Sequence, residues 1–298
     1  MLFDQIAKNK RKTIGLFIGF FIFMAIVGAA LGYFIWSSIE VGLILALVVG
    51  IVYVGYIYSQ STEVVMHMNH AHELSGPDDN PELWHIVEDM AMVAQVPMPR
   101  VFIIDDASPN AFATGNDPKH AAVAATTGIL SRLNRSELEG VMAHEMTHVR
   151  NYDIRIQTLA VAITSAIALL ANLGTNFMFW GGGSRRNNNS KDNGNVIGIV
   201  ISLLVLIIAP MVATVVQLAI SRNREYLADA GAVELTRNPE GLISALQKIS
   251  NSEPMSSENV APSSAGLYIS NPLKSHGAKE LFATHPPMEK RIEALRNL

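Results

Sequence analysis

His144, Glu145, Met146, Thr147 and His148 form the pattern H-E-x-x-H. Two imidazoles four residues apart lie one turn above each other on the same face of a helix, so both can reach one tetrahedral zinc ion about 2.0–2.1 Å away. Glu145 sits beside them, placed to hold and deprotonate an attacking water without being a ligand. With nine His in 298 residues, the pattern arises by chance in roughly one such chain per hundred, so a solvated helix with two unrelated histidines is the weaker reading. Catalytic zinc needs a third protein ligand and an open position. Glu225, in SRNREYLADAGAVEL, is the best candidate. Asp229 lies four residues on and shares its face, so Glu225 can bind the metal while Asp229 accepts the second N–H of an imidazole. Without H-E-x-x-H this stretch would read as an ordinary juxtamembrane helix whose acids neutralise Arg222 and Arg224.

These residues need elements to hold them. Asn134 with Glu137 three residues on caps a helix running through Leu138, Val141, Met142 and Val149, which would carry H-E-x-x-H. Asn80-Pro81-Glu82 starts another helix, and residues 101–105, 110–115 and 121–128 read as strands, the last two weakened by their alanines. Most of the remaining chain is apolar. Hydrophobic residues make up 49% and charged ones 16%, against about 25% charged in ordinary soluble proteins. Four runs, residues 14–36, 39–58, 156–180 and 196–220, are each long enough to cross a bilayer as a helix. The absence of Cys excludes disulfide scaffolds and thiolate zinc fingers. A net charge of −4 argues against nucleic acid as a partner.

The expected organisation is a transmembrane hairpin in residues 1–58, a catalytic segment in 59–155, a second hairpin in 156–220 with an outer loop at 181–195, and a closing segment in 221–298. Lys8, Lys10, Arg11 and Lys12 before the first span, with Arg150, Arg155, Arg222 and Arg224, put both termini and residues 59–155 in the cytoplasm; the loop's Arg185, Arg186 and Lys191 disagree. No span carries the ionisable series of an ion or proton pathway, which counts against a transporter.

The chain resembles the HtpX-like membrane zinc metalloproteases, relatives of the CAAX prenyl proteases. The resemblance rests on His144 to His148 with Asn151 and Asp153, on Ser221 to Tyr226 with Ala228 and Asp229, and on Thr284-His285-Pro286, with the hydrophobic hairpins in the same order. It implies a zinc-dependent endopeptidase of the bacterial inner membrane, facing the cytoplasm and degrading misfolded or damaged membrane proteins. It assigns His285 and Arg291 to stabilising the tetrahedral intermediate, although a capped surface helix explains that segment equally well. Asn110-Ala111-Phe112 would then bind substrate as an added strand; alone it is a plain Ala-rich strand. His67, His70 and His72 fit a solvated turn better than a second metal site.

The expected fold is an α-helical membrane protein with four transmembrane helices and an α+β, zincin-like domain assembled from two cytoplasmic segments. One Zn2+ per chain would be held by His144, His148 and Glu225, with Glu145 as general base. Its partners would be the lipid bilayer and polypeptide substrates. A non-catalytic, zinc-stabilised membrane chaperone or scaffold is the alternative; it would need the metal but not Glu145. An intramembrane protease is disfavoured, since Arg150, Asp153 and Arg155 put H-E-x-x-H before the third span.

Overall fold

The structure is a computed structural model that describes residues 2–165, 222–256, 260–261, 263–273 and 286–298. Helices α1 (Leu2–Trp36) and α2 (Ile39–Met68) form a hairpin. The chain reverses at Ser37, whose φ is 52°, and Ser38 caps α2 by accepting from the Val41 N–H. Within these helices, residues Arg11–Tyr33 and Ile39–Tyr56 are long and apolar enough to cross a membrane. Ile14, Ile18, Ile22 and Ile26, spaced by four, face outward with more than half of each side chain uncovered by protein. Such a stripe suits lipid rather than water. The hairpin closes through glycine. A Cβ on Gly42 would lie 2.1 Å from the Gly28 carbonyl oxygen, so no larger residue lets these backbones approach as they do.

The helix α2 runs through the boundary expected at residue 58, and its last turns help build a core against one face of the sheet. The third expected span, 156–180, is seen only at its start, in helix α6 (residues 153–165). The rest of it, the span 196–220 and the loop 181–195 lie outside the described residues.

Strands β1 (His72–Glu73), β2 (Arg100–Ile104), β3 (Ala111–Gly115) and β4 (Ala121–Thr126) form a sheet of order β1-β2-β4-β3, with β2 and β4 parallel and the other pairs antiparallel. Alternate residues face opposite sides. Val101, Ala111, Ala113, Val123 and Ala125 pack against helices α3 (Pro81–Ala94) and α5 (Arg135–Arg150), while Phe102, Ile104, Phe112 and Ala124 pack against Val65 and Met66 of α2 and against Leu267 and Tyr268. Burial on both faces is why alanine serves here, since a helix on each side leaves little room beyond Cβ. The short helix α4 (Thr127–Arg132) follows β4 directly, so the third expected strand ends at Thr126 rather than Gly128.

Helix α5 begins with the expected reciprocal cap: the Glu137 N–H donates to Asn134 Oδ1 and the Asn134 N–H donates to Glu137 Oε2. Helix α7 (Arg222–Thr236) packs along α5, and α8 (Pro239–Ser250) crosses its start. Ser244 and Lys248 of α8 donate to Glu137 at 2.5 and 2.6 Å, so one carboxylate both caps α5 and ties it to α8. The last described helix, α9 (Met288–Arg296), lies against α7 and α8.

Burial alone would raise the Glu137 carboxyl, but Lys248, Ser244 and the Asn134 N–H hold it below the usual carboxylate value of 4.5. A depressed folded-state value contributes stability that is complete above the unfolded value and lost as pH falls through the folded one. Glu137→Gln is therefore expected to cost about 1.5–3 kcal/mol at pH 7, a difference that shrinks as the pH drops below 4.5. Denaturant melts of parent and variant across this range check it; a pH-independent difference would contradict the assignment.

Candidate metal centre

Helix α5 turns His144 and His148 to one face, their ring centroids 4.7 Å apart. Their Nε2 atoms are 3.2 Å from each other, and Glu225 brings Oε2 to 3.7 Å from His144 Nε2 and Oε1 to 3.6 Å from His148 Nε2. Ligand atoms on a tetrahedral ion with bonds near 2.05 Å are separated by about 3.3 Å, so the three donors already stand close to the required spacing. Among the described residues these three form the group of His, Asp and Glu side chains able to hold a metal. All three are buried.

The opposite edge of each imidazole is occupied. His144 Nδ1 lies 3.0 Å from Asp229 Oδ1, and His148 Nδ1 lies 3.1 Å from Asp153 Oδ2. Each Nδ1–H donates to a carboxylate, which leaves each Nε2 with a lone pair aimed at the other. Two lone pairs 3.2 Å apart repel unless a proton or a cation lies between them. That donor set, two neutral imidazoles and a carboxylate, fits a divalent metal of the zinc type.

Local structure explains how these partners arrive. Asn151 caps the C-terminus of α5, Tyr152 turns the chain with φ of 59°, and Asp153 opens α6, which folds its carboxylate back beneath His148. Helix α7 approaches α5 so closely that a Cβ on Gly231 would sit 2.4 Å from Thr147 Cγ2. The same helix places Glu225 and Asp229 one turn apart on the facing side. Arg291, fully buried on α9, grips Asp229 with two N–H groups, at 2.9 and 2.6 Å, and donates a third to the Ile269 carbonyl at 3.0 Å.

Burial pushes the His144 imidazole down, and the Arg291 charge adds to this against Asp229. Burial also opposes charge on His148, but Asp153 and Glu225 outweigh it and lift that imidazole to about 9. A proton and a metal would compete for the place between the two Nε2 atoms. Burial raises Glu145 to about 7, Glu225 adding to the rise while His148 and an N–H from Ala113 of β3 restrain it. Its Oε1 has no hydrogen-bond partner among the described residues. A buried carboxylate with one engaged and one available oxygen, poised near neutrality, is suited to moving protons.

The remaining predicted residues sit differently. Asn110, Ala111 and Phe112 are buried. The chain itself covers the adjoining edge: the Ile269 N–H donates to the Ala111 carbonyl, and the Asn110 amide pairs with the Ser270 peptide. A substrate strand there would have to replace residues 269–270. Arg291 touches Asp229 and comes within 3.7 Å of Glu225. His285 lies outside the described residues. His67 lies in the last turn of α2, His70 occupies a turn with φ of 51° and His72 starts β1, all exposed. Sequence reasoning assigned no site role to Asp153 beyond its place in the resemblance, and none to Ala113 or Ile269. Only Asp153, an acid five residues past His148, offered a local cue.

The sequence profile of peptidase family M48 matches residues 77–298, well over half of the chain and a stretch that includes His144, Glu145, His148, Asp153, Glu225 and Asp229. The chain belongs to peptidase family M48. This M48 chain is 61% identical to a "Protease HtpX homolog" of Ligilactobacillus salivarius (strain UCC118), 59% identical to one of Limosilactobacillus fermentum and 57% identical to one of Streptococcus agalactiae serotype III, each match covering the full length of both proteins. Its fold is similar to the crystal structure of S. mikatae Ste24p, with a TM-score of 0.52 and 17% identity, over 92% of this chain and 61% of that one. The M48 chain is thus a membrane metalloprotease by family, with a metal as its cofactor and His144, His148 and Glu225 converging where one would bind.

In the M48 chain, replacing Glu225 and replacing the Asp229 carboxylate behind His144 are expected to differ in degree. Glu225→Ala removes a metal-facing anion and is expected to abolish stoichiometric metal retention, whereas Asp229→Asn, which loosens His144, weakens affinity by about 10 to 100-fold. Metal content after dialysis against a graded chelator measures both. Full retention by Glu225→Ala would take Glu225 out of the site.

Proposed function

We propose that the protein is a zinc-dependent endopeptidase of the bacterial cytoplasmic membrane that cleaves membrane or misfolded proteins at the cytoplasmic face. The observation that carries this reading is the convergence of two Nε2 lone pairs, Glu225 and the half-engaged carboxylate of Glu145 in one buried place. Zinc held there by His144, His148 and Glu225 would supply Lewis acidity toward a scissile carbonyl. Glu145 takes a proton from the attacking water through Oε1 and returns it to the departing amine, so the same carboxylate serves as base and then acid. Asp229 and Asp153 hold the imidazoles in register, and Arg291 fixes Asp229. His285 and Arg291 as donors to the tetrahedral intermediate, and Asn110-Ala111-Phe112 as a substrate-pairing strand, belong to the same reading. The proposed architecture has four spans and a zincin-like domain completed by residues 221–298.

Glu145→Gln tests the reading against a zinc-dependent scaffold. Gln keeps the shape and a hydrogen bond but accepts no proton near neutral pH, so zinc content and fold are expected to survive while hydrolysis of an unfolded protein falls about 10² to 10⁴-fold. Parental cleavage by the zinc-loaded variant would defeat the mechanism, and a parent that cleaves nothing would favour the scaffold.

The proposed orientation has its own test, simplified by the absence of Cys from the chain. On intact cells, a membrane-impermeant thiol reagent is expected to label Asn188→Cys and to miss Ser75→Cys. The reverse pattern would invert the topology.

A further inference from the structure

Asp153 orients His148, and its carboxylate is entirely buried, so whatever holds its second oxygen decides how it presents the first. That holder comes from 144 residues away. Asn9, on the stretch of α1 that precedes the first candidate span and only 3% exposed, donates from Nδ2 to Asp153 Oδ1 at 2.7 Å and to the Asn151 carbonyl at 3.1 Å. Both amide hydrogens are used, on two acceptors, which fixes the side chain's orientation without ambiguity.

The contact also has a competitor. Arg224 Nη1 lies 3.9 Å from the same Asp153 Oδ1, and none of the three guanidinium nitrogens of this buried side chain has a hydrogen-bond partner among the described residues. A carboxylate released by Asn9 would be drawn toward Arg224 and rotated away from the imidazole. A neutral amide suits the position: it holds Oδ1 without cancelling the negative charge that His148 Nδ1–H needs. Around it α1 is firmly seated. Thr13 Oγ1 donates to the Asn9 carbonyl, and Leu16, Phe20, Phe23 and Met24 pack against Ile156, Leu159, Ala160 and Ile163 of α6.

We propose that Asn9 is a positioning residue of the metal centre, fixing Asp153 and through it His148, so that the N-terminal membrane helix sets the geometry of one ligand. This rests on the metal-site reading above.

The test uses full-length protein in detergent, with zinc affinity read by chelator competition and site geometry by the visible spectrum of the cobalt-substituted protein. Asn9→Leu is expected to weaken zinc binding about tenfold, the low end for partners behind a ligand, and to alter the cobalt spectrum. In an Asp153→Asn background the same change is expected to add nothing, because its effect runs through that carboxylate. Thr13→Val, which loosens the same turn of α1 without touching Asp153, is expected to match the parent. Should Asn9→Leu fail to fold, Asn9→Ala removes the amide without added bulk and takes its place in the cycle. Parental affinity and spectrum in the Asn9 variant, losses that add in the double variant, or an equal loss in Thr13→Val would each overturn the proposal. A parent that binds no zinc would instead sink the metal reading itself.

Discussion

Two imidazoles that must point lone pairs at the same spot can do so only if each keeps its proton on the far nitrogen, and inside a protein that proton needs a buried acceptor. Much of the architecture follows from this demand. Asp229 serves His144 and Asp153 serves His148. Each acceptor is itself a buried charge, whose desolvation costs several kcal/mol unless it is paired and hydrogen-bonded. Arg291 answers for Asp229, while Asn9 with nearby Arg224 answers for Asp153. Each answer brings in an element: α7 and α9 on one side, α6 and α1 on the other.

The two sides are not electrostatically equivalent, and the difference appears on the histidines. Arg291 meets Asp229 with a full opposite charge, so His144 feels little net attraction for a proton and burial wins. Asp153 is held by a neutral amide at 2.7 Å while the nearest cation stands at 3.9 Å, so its charge still acts on His148, where it and Glu225 overcome burial. The same kind of side chain, one helical turn apart, is thereby pushed down at His144 and up at His148.

How much of this could be read along the chain depended on whether the relevant spacing was local. The i,i+4 pairs His144 and His148, and Glu225 and Asp229, lie within single helices, so periodicity was enough to put each pair on one face, and the structure brings those faces together. The Asn134 and Glu137 cap was equally local and forms as expected. Asn9 and Ile269 act across long sequence separations, through contacts no window can contain. The alanines of β3 and β4 weakened the strand reading because their suitability depends on helices packed on both faces, which is tertiary information.

The parts of the centre are also made far apart in time. A chain elongating at roughly 5–20 residues per second exposes His144 and His148 many seconds before Glu225, and Arg291 follows later still. Until then the histidine pair has only Asp153 and Asn9 behind it, and half of its acceptors are missing. Such a half-site lacks both the Glu225 carboxylate and the Asp229 acceptor, so it holds a metal weakly until α7 packs along α5.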